Sequence, residues 1–532
     1  MRRDARFHAG AQVGRAAGCV FKKRRVESDK NDLIPGINVD TRVAREIILL
    51  RYLRAEASMF DLSSSSQSEQ SGHARTAAYL REIWQAANGD PDLLHALDFS
   101  GAGVLPSVFP VTDFASAVIG AASVALAEFV HRATGTLPGV RVDRRYASIW
   151  FGTSLRPRGW DMPPLWDAIA GDYRTADGWI RLHTNAPHHR DAALAVLAVL
   201  GTRPDRQAVA RAVEQWRGDA LESAVVEHGG CAAVMHTQDE WARHPQGLAV
   251  SAEPLMIHDD VSVDGKRPAW PTSAERPLYG VRVLDLTRIL AGPVATRFLA
   301  GFGAQVLRID PIGWDEPGTV PEVVLGKRCA RVDLKSGEGR ALLRRLIGEA
   351  DVMVHGYRPG ALDRLGFDAD ERRRINPGLV DVSLDAYGWS GPWRARRGFD
   401  SLVQTSAGIV AAGMRETGGE RPVPLPVQAL DHGAGYLLAT AAIRGLARRL
   451  ATGVGARMRA SLARTAVLLV SGGSQEADRP PIARETADDL DAWSEQTSWG
   501  PAQRVRAPVA IERAPVQWPH PARALGTSPA EW

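Results

Sequence analysis

Two aspartates in this chain stand at the beginning of long stretches of small residues, a position where a carboxylate can act as a nucleophile. Asp431 precedes a helical pattern over 434–450, and Asp113 precedes a similar pattern over 115–132. Free N–H groups at a helix N-terminus favour an anion and the oxyanions that form when it attacks a carbonyl carbon. An aspartate before a helix is also a common N-cap, so both interpretations stay open at this point.

The element that must position Asp431 begins about 150 residues earlier, with a strand, a turn and a helix. Buried apolar residues start a strand at 281–284, Ala-Gly-Pro at 291–293 turns the chain, and the helix that follows leads to a second strand at 305–309. Ligands of open α/β sheets bind beyond the carboxyl ends of the strands, where helix N-termini suit phosphates. We therefore expect an α/β protein with a Rossmann-like open parallel sheet domain and a smaller α+β domain.

Further motifs continue from this unit in a fixed order. They are Leu-Gly-Lys-Arg at 325–328, Val-Asp-Leu-Lys at 332–335, an Arg-Pro-Gly turn within 351–366, Tyr-Gly at 387–388, Gly-Pro at 391–392 and Gly-Phe-Asp at 398–400. The series resembles the class III CoA-transferases, the CaiB/BaiF family, over residues 278–472. The resemblance implies an enzyme that transfers coenzyme A from an acyl-CoA thioester to a carboxylic acid through an aspartyl-CoA thioester, with Asp431 as the nucleophile.

The same resemblance implies a set of coenzyme A contacts, with acyl-CoA as a substrate and no permanently bound cofactor. Family members often carry a polar residue at the position of Leu290 and Asn at that of Gly356, so only main-chain contacts are expected there. The family's glycine-rich lid has no counterpart after Asp431. The implied contacts are Leu290, Ala291, Val332, Lys335, Gly356, Tyr357, Arg364, Arg397 and Asp400.

Two other functions stay open beside CoA transfer. The racemase branch of the family exchanges the α-proton of 2-methylacyl-CoA and has a His at the position of Phe399. A phenylalanine side chain cannot exchange a proton, which argues against racemisation here. A non-catalytic acyl-CoA-binding homologue is the third alternative.

His183, His188 and His189 are irregularly spaced and lack acidic or Cys partners, so no metal site is expected. His432 is also weighed as a base, although adjacent helix residues point in different directions.

The chain also repeats itself at a constant offset of 318 residues, from Asp113 to Asp431 and from Gly135 to Gly453. This predicts a partial internal duplication in which each copy places an Asp ahead of a long helix, followed by a turn and a short strand. The first copy lacks a nucleotide-binding half, so Asp113 is interpreted as a vestigial cap. Because family members are usually interlocked homodimers, we expect a homodimer or an intrachain pseudo-dimer.

Five segments follow from the resemblance and the repeat. They are an extension over 1–58, a partial copy with the small domain over 59–262, a linker over 263–277, the nucleotide-binding domain with the nucleophile helix over 278–472, and a C-terminal segment over 473–532. The extension has no secretory apolar region and is interpreted as disordered, or as translated sequence ahead of a true start at Met59.

Composition excludes several other classes of protein. The formal net charge is only +4 on 532 residues, and no nucleic-acid motif accompanies the basic residues, so nucleic-acid binding is not expected. Three cysteines at distant positions make a disulfide framework improbable and fit a reducing cytoplasm. The longest apolar run is broken by Glu128, which argues against a membrane span.

Overall fold

The computed structural model describes residues 72–199, 205–259 and 268–532. The predicted extension over 1–58 lies outside this part of the chain, as does the beginning of the predicted linker over 263–277. Both assignments therefore stay predictions.

The first segment of the described chain is a helical layer with short strands. Its longest helix, α2, is buried along almost its whole length. The elements are α1 over 72–86, β1 (Leu97–Ser100), α2 (Val111–Thr134), β2 (Val140–Asp143), α3 (Arg144–Trp150) and β3 (Leu155–Pro157).

A small domain with its own apolar core follows. The core includes Ile169, Tyr173 and Leu221, and the sheet is antiparallel in the order β4-β5-β6. Three further elements lead back to the main sheet. The elements are β4 (Gly171–Arg174), β5 (Trp179–Leu182), α4 (Pro187–Val196), α5 (Arg206–Val213), α6 (Gly218–Glu227), β6 (Ala232–Val234), α7 (Gln238–Arg243), α8 (Pro245–Ala252) and β7 (Ile257–Asp259).

The segment over 278–472 carries most of the strands that the motifs predict. The valine and leucine side chains of these strands are buried on both faces of the sheet, as expected for strands between two helical layers. The elements are β8 (Arg282–Leu286), α9 (Ala291–Gly301), β9 (Gln305–Asp310), α10 (Val320–Val323), β10 (Lys327–Arg331), α11 (Gly337–Glu349), β11 (Val352–His355), α12 (Ala369–Ile375), β12 (Val380–Asp385), α13 (Asp400–Ser406), α14 (Ile409–Glu416), α15 (Ala429–Thr452), β13 (Ala456–Ser461) and α16 (Leu462–Ser471).

The main sheet has the order β10-β9-β8-β11-β12-β13-β7. Its first six strands are parallel, and β7 closes the edge in the antiparallel direction. The strand order reverses between β8 and β11, which creates a crevice at their carboxyl ends. The expected α/β fold with a Rossmann-like sheet is confirmed.

The predicted turn at 291–293 is wrong in detail, because α9 already begins at Ala291. The turn lies just before α9. Within the first turn of α9 a glycine is required at Gly292, because a Cβ atom there would lie 2.3 Å from Thr287 Cβ. Pro293 fits the first helical turn, since the N–H that it lacks has no intrahelical partner there.

The two predicted repeat helices pack against each other. Both α2 and α15 have 24 residues and end at a glycine in the left-handed conformation. A Cβ atom on Gly433 would lie 2.4 Å from the Phe114 ring, and Arg444 of α15 forms an ion pair with Glu128 of α2. Corresponding parts of the two helices therefore meet side by side, as expected for an intrachain pair.

Helix α2 is long and apolar enough to cross a membrane. However, 94% of its most apolar 18-residue window is buried inside the structure. In the structure α2 is a core helix, and the same residues that make it apolar pack on α15.

The C-terminal segment returns to the first segment. It contributes β14 (Glu495–Thr497), β15 (Gly500–Arg504) and β16 (Val509–Ile511). Strand β15 pairs with β3, and β16 pairs with β2, both antiparallel. The buried Arg504 forms ion pairs with Glu322 and Glu495, so the C-terminal segment is also joined to the segment over 278–472.

Asp113 is wrongly predicted as a helix cap. It lies in the first turn of α2, the N-cap residue is Pro110, and no side chain caps the helix. Its fully buried carboxylate instead forms ion pairs with Arg75, Arg144 and Arg479. Asp113 therefore links α1, α3 and the C-terminal segment.

We expect Asp113→Ala to destabilise the protein by roughly 3–5 kcal/mol, because it leaves buried guanidinium groups without a counter-charge. The matched control is Glu485→Ala, which removes the partner of Arg156 in a more exposed ion pair and costs about 1 kcal/mol or less. Urea unfolding followed by circular dichroism measures both. Equal losses of stability in the two variants would contradict this role of Asp113.

Candidate functional site

The candidate site is a cavity at the crevice between β8 and β11. Its volume is about 420 Å³, and residues in the N-terminal turns of α9 and α15 contribute to its lining. The small domain closes one side through α4. The lining residues, here called the site cavity, are His188, His189, Leu286, Thr287, Arg288, Ile289, Ala291, Gly292, Trp314, Gly356, Tyr357, Arg358, Ala361, Leu384, Asp385, Ala386, Arg396, Arg397, Gly398, Phe399, Asp431 and Leu462.

Asp431 lies in the first turn of α15 and is 7% exposed. Its backbone N–H donates to Asp400 Oδ2 at 2.9 Å. The side chain of Gln404 donates to the other oxygen of Asp400, and Gln404 Oε1 accepts the N–H of Leu425 at 2.9 Å. This chain of hydrogen bonds fixes the backbone that carries the Asp431 carboxyl.

The pKa values of both carboxyls are raised. Burial, followed by the negative charge of Asp400, raises the pKa of Asp431 well above its ordinary value. Burial also raises the pKa of Asp400 to about 6, although the N–H of Asp431 opposes this shift. Among the described residues no cation forms an ion pair with Asp431, so nothing there offsets the cost of burying its negative charge.

Asp431 and Asp113 occupy matching positions in the repeat but opposite environments. Arg144, the first residue of α3, pairs with Asp113. The residue 318 positions later is Leu462, the first residue of α16, which lines the site cavity. At this position of the repeat, the second copy has an apolar side chain on the cavity lining, whereas the first copy has the guanidinium that pairs with Asp113.

One wall of the site cavity holds a guanidinium between two aromatic rings. Arg288 lies 4.9 Å from the Trp314 ring centroid and 5.2 Å from that of Tyr357. Its Nη2 donates to the Tyr357 hydroxyl at 3.1 Å. The arrangement presents a flat, cationic surface that suits stacking and phosphate binding.

The next residue, Ile289, has a strained backbone. Its φ of 65° lies in the left-handed region, which is costly for a β-branched residue. The N–H of Ile289 donates to Glu316, which holds the loop in place. The strained residue Ile289 therefore lines the site cavity, just before the start of α9.

The structure brings five of the predicted site residues together. Asp431, Ala291, Gly356, Tyr357 and Arg397 all line the site cavity. The N-cap interpretation of Asp431 is wrong, because no side chain caps α15 and Gln428 takes the N-cap position.

The other predicted contacts lie outside the lining. Leu290 and Val332 are buried, Lys335 and Arg364 are exposed, and Asp400 lies behind the backbone of Asp431. Their assignment to coenzyme A stays a prediction. No group of three or more His, Cys, Asp or Glu side chains suited to a metal occurs among the described residues.

Sequence reasoning missed several residues of the site cavity. Arg288, Trp314 and Arg358 lie in loops after strands, the region where ligands of such sheets bind, and this position was a usable signal. His189 comes from the small domain, so only the tertiary structure places it here.

Asp385 is a second carboxyl in the site cavity that the sequence analysis did not assign. It ends β12, is 5% exposed and accepts the N–H of Tyr387 at Oδ1 over 2.9 Å. Burial raises its pKa to about 8, and the nearby Glu253 adds to this shift, while backbone N–H groups oppose it. The Asp385 carboxyl is thus mostly protonated at neutral pH.

Comparison with known proteins identifies the domain that builds this site. The sequence model of CoA-transferase family III matches residues 278–514, which include the main parallel strands β8 to β13 and Asp431. Residues 278–514 belong to CoA-transferase family III. The resemblance noted from the motifs is confirmed for this part of the chain.

The sequence is similar to proteins of several organisms. An acyl-CoA transferase of Fusarium pseudograminearum is 32% identical over 221 residues, covering 38% of this chain and 48% of the relative. A probable fatty acyl-CoA transferase of Mycobacterium tuberculosis is 35% identical over 199 residues, covering 35% and 50%. The chain thus spans about half the length of these relatives.

Among solved structures, a CaiB/BaiF family protein from Brucella suis is 26% identical with a TM-score of 0.33. The match covers 43% of this chain and 65% of that protein.

The raised pKa of Asp385 predicts a pH dependence of stability. The native family III domain keeps this proton up to about pH 8, whereas the unfolded chain releases it near its ordinary pKa of about 4. The stabilisation is therefore complete below pH 4 and is lost as the pH rises to about 8.

Asp385→Asn removes this titration. We expect the variant to lose less free energy of unfolding between pH 5 and 8 than the wild type, by an amount on the order of a few kcal/mol, since one pKa unit corresponds to about 1.4 kcal/mol. Urea unfolding at both pH values provides the measurement. Parallel losses in the two proteins would show that Asp385 is ionised in the native state.

Proposed function

We propose that this protein transfers coenzyme A from an acyl-CoA thioester to a carboxylic acid, with Asp431 as the covalent nucleophile. The observation that carries the proposal is the position of Asp431: it lines the site cavity in the first turn of a helix and has no ion pair among the described residues. A carboxylate already bound to a guanidinium, as Asp113 is, would be a poor nucleophile. Asp431 is available for attack.

The proposed reaction begins with two exchanges at Asp431. A carboxylate oxygen attacks the thioester carbonyl carbon, the C–S bond breaks, and CoA thiolate leaves a mixed anhydride. The thiolate then attacks the side-chain carbonyl carbon of Asp431, and the donor acid departs as a carboxylate. The product is an aspartyl-CoA thioester, so the energy of the thioester is retained.

The acceptor acid reverses these steps. Its carboxylate attacks the aspartyl-CoA carbonyl, giving a second mixed anhydride and CoA thiolate. The thiolate attacks the acceptor carbonyl carbon, which forms the new acyl-CoA and restores the Asp431 carboxylate. No water is consumed, and the buried position of Asp431 favours transfer over hydrolysis.

The side chains of the site cavity suit coenzyme A as a substrate. Arg288 between Trp314 and Tyr357 offers stacking and charge, and Arg397 adds a second guanidinium on the lining. The N-terminal turn of α9 faces the cavity at Ala291, where free N–H groups favour developing negative charge. The names of the relatives, an acyl-CoA transferase and a probable fatty acyl-CoA transferase, support the same class of reaction.

The packing of α2 on α15 supports an intrachain pseudo-dimer as the assembly that forms this site. In that arrangement Asp113 marks the second, inactive position, because its carboxylate is bound by three guanidinium groups. Racemisation is less well supported. Phe399 lines the cavity and stacks on His183 with ring centroids 3.8 Å apart, so it fills space and exchanges no proton.

We expect Asp431→Asn to abolish CoA exchange while its unfolding midpoint stays close to that of the wild type. The amide keeps the size of the side chain and has no counter-ion to lose, but it cannot form the covalent intermediate. Mass spectrometry of wild-type protein treated with acyl-CoA and hydroxylamine should find a hydroxamate on the peptide carrying Asp431. A hydroxamate on the peptide carrying Asp113 would contradict this assignment and identify Asp113 as the nucleophile.

Asp400→Asn should shift the pH profile of transfer. Attack requires ionised Asp431, whose pKa is raised, so the rate should increase with pH. Removing the neighbouring negative charge lowers that pKa, and we expect the rising limb to move by about 1 unit to lower pH. The Asn side chain can still accept the Asp431 N–H.

The readout is kcat/KM between pH 5 and 9. Asp92→Asn, at an exposed position outside the site cavity, is the control and should leave the profile unchanged. If Asp400→Asn lowers kcat/KM but does not move the rising limb of the pH profile, Asp400 acts only through its hydrogen bond.

A further inference from the structure

The loop between β8 and α9 contributes three neighbouring residues to the lining of the site cavity, Thr287, Arg288 and Ile289. Arg288 presents its guanidinium between two aromatic rings, and Ile289 has the left-handed φ of 65°. A β-branched residue keeps such a conformation only where its surroundings hold it there. The position of the Arg288 side chain therefore depends on what holds this loop.

Glu316 holds the end of the loop that leads into α9. Its side chain is 7% exposed, and its carboxylate accepts the backbone N–H of Ile289. The same carboxylate accepts the indole N–H of Trp314 at 2.8 Å and forms an ion pair with the buried Arg308. Glu316 thus fixes both the strained backbone and one of the two rings that flank Arg288.

Asp285 anchors the other end of the loop. Its fully buried Oδ1 accepts the N–H of Thr287 at 2.9 Å and the hydroxyl of the same residue. Its Oδ2 accepts the hydroxyl of Thr296 at 2.6 Å and Lys327 Nζ at 3.0 Å. Lys327 also donates to the carbonyl oxygen of Pro293 at 2.9 Å. The beginning of the loop is therefore tied to α9 and to β10.

The two anchors have a chemical requirement in common. The described groups that hydrogen-bond to either carboxylate are all donors: backbone N–H, hydroxyl, indole N–H, ammonium or guanidinium. A side-chain amide in place of a carboxylate would turn its NH₂ group toward a donor and leave buried groups unpaired. Neither Glu316 nor Asp285 lines the site cavity, so each can affect a ligand only through other residues.

We propose that Glu316 and Asp285 are positioning residues that hold the loop over 287–289 in the conformation that binds coenzyme A. The inference rests on the coenzyme A site of the proposed function and names the residues that keep this site preorganised. Without an anchor, Ile289 leaves the left-handed region, and only a fraction of the molecules presents Arg288 between its two rings. The apparent affinity for the ligand falls by that fraction.

The test is calorimetric titration of the full-length protein with coenzyme A itself. Glu316→Gln keeps the size of the side chain and should weaken binding at least about 10-fold, as expected if about a tenth of the molecules keep the binding conformation. Asp285→Asn should weaken binding in the same direction. It decides the question if Glu316→Gln does not fold.

Glu322→Gln is the matched control. Glu322 is 5% exposed, and its carboxylate also contacts donors, among them Arg297, Arg504 and the hydroxyl of Ser154. These partners lie outside the lining of the site cavity. The variant should unfold more easily than the wild type and yet bind coenzyme A within about twofold, because the two sites share no partner. Equal losses of affinity in Glu316→Gln and Glu322→Gln would overturn the inference.

A second background tests whether Glu316 acts through the strained residue. Glycine adopts a positive φ without a steric cost, so Ile289→Gly makes the anchor less necessary. In that background Glu316→Gln should weaken coenzyme A binding by no more than about threefold. A merely structural role would give the same loss in both backgrounds, and an undiminished loss would overturn the proposed route through Ile289.

Failure of this inference is distinguishable from failure of the proposed function, because binding of coenzyme A requires no turnover. Wild-type affinity in Glu316→Gln and Asp285→Asn overturns the inference even if CoA transfer is observed. Weakened binding in these variants supports it even if no acid accepts CoA, and then the transferase proposal alone fails. In an active enzyme, Glu316→Gln should raise KM for acyl-CoA about 10-fold and keep kcat within about threefold.

Discussion

The burial of a carboxyl group without a counter-ion at Asp431 is the constraint on which the site depends. Moving a carboxylate out of water is costly unless it is paired, so such a group either binds a cation or keeps its proton. At Asp113 the protein uses the first solution, with three guanidinium groups. At Asp431 no cation forms an ion pair among the described residues, and burial, followed by the charge of Asp400, raises the pKa of the carboxyl well above its ordinary value.

This difference between the two repeats depends on a few side chains on a shared backbone. Helices α2 and α15 have equal lengths and matching ends, so the backbone places both aspartates alike. Arg144 in one repeat and Leu462 in the other then decide whether the carboxylate is neutralised. Because the helices pack side by side, the ion pairs at Asp113 also stabilise the layer on which α15 rests.

The site cavity itself is assembled from parts that are distant in the chain. The crevice between β8 and β11 provides its base, α15 provides Asp431, and α4 of the small domain provides His189. Its donors are therefore held by separately folded elements, and their mutual positions depend on the docking of the small domain.

The sequence by itself determined the α/β class, the strands near 281 and 305, and the nucleophile candidate Asp431, because these depend on local apolar patterns and on motifs with fixed spacing. The family resemblance assigned Ala291, Gly356, Tyr357 and Arg397 to one site, and the structure places all four on the lining of the site cavity. Only the tertiary structure decided the partners of buried charges. The arginines at Asp113 and the unpaired His189 come from segments far apart in the chain, and no local pattern encodes which charge meets which.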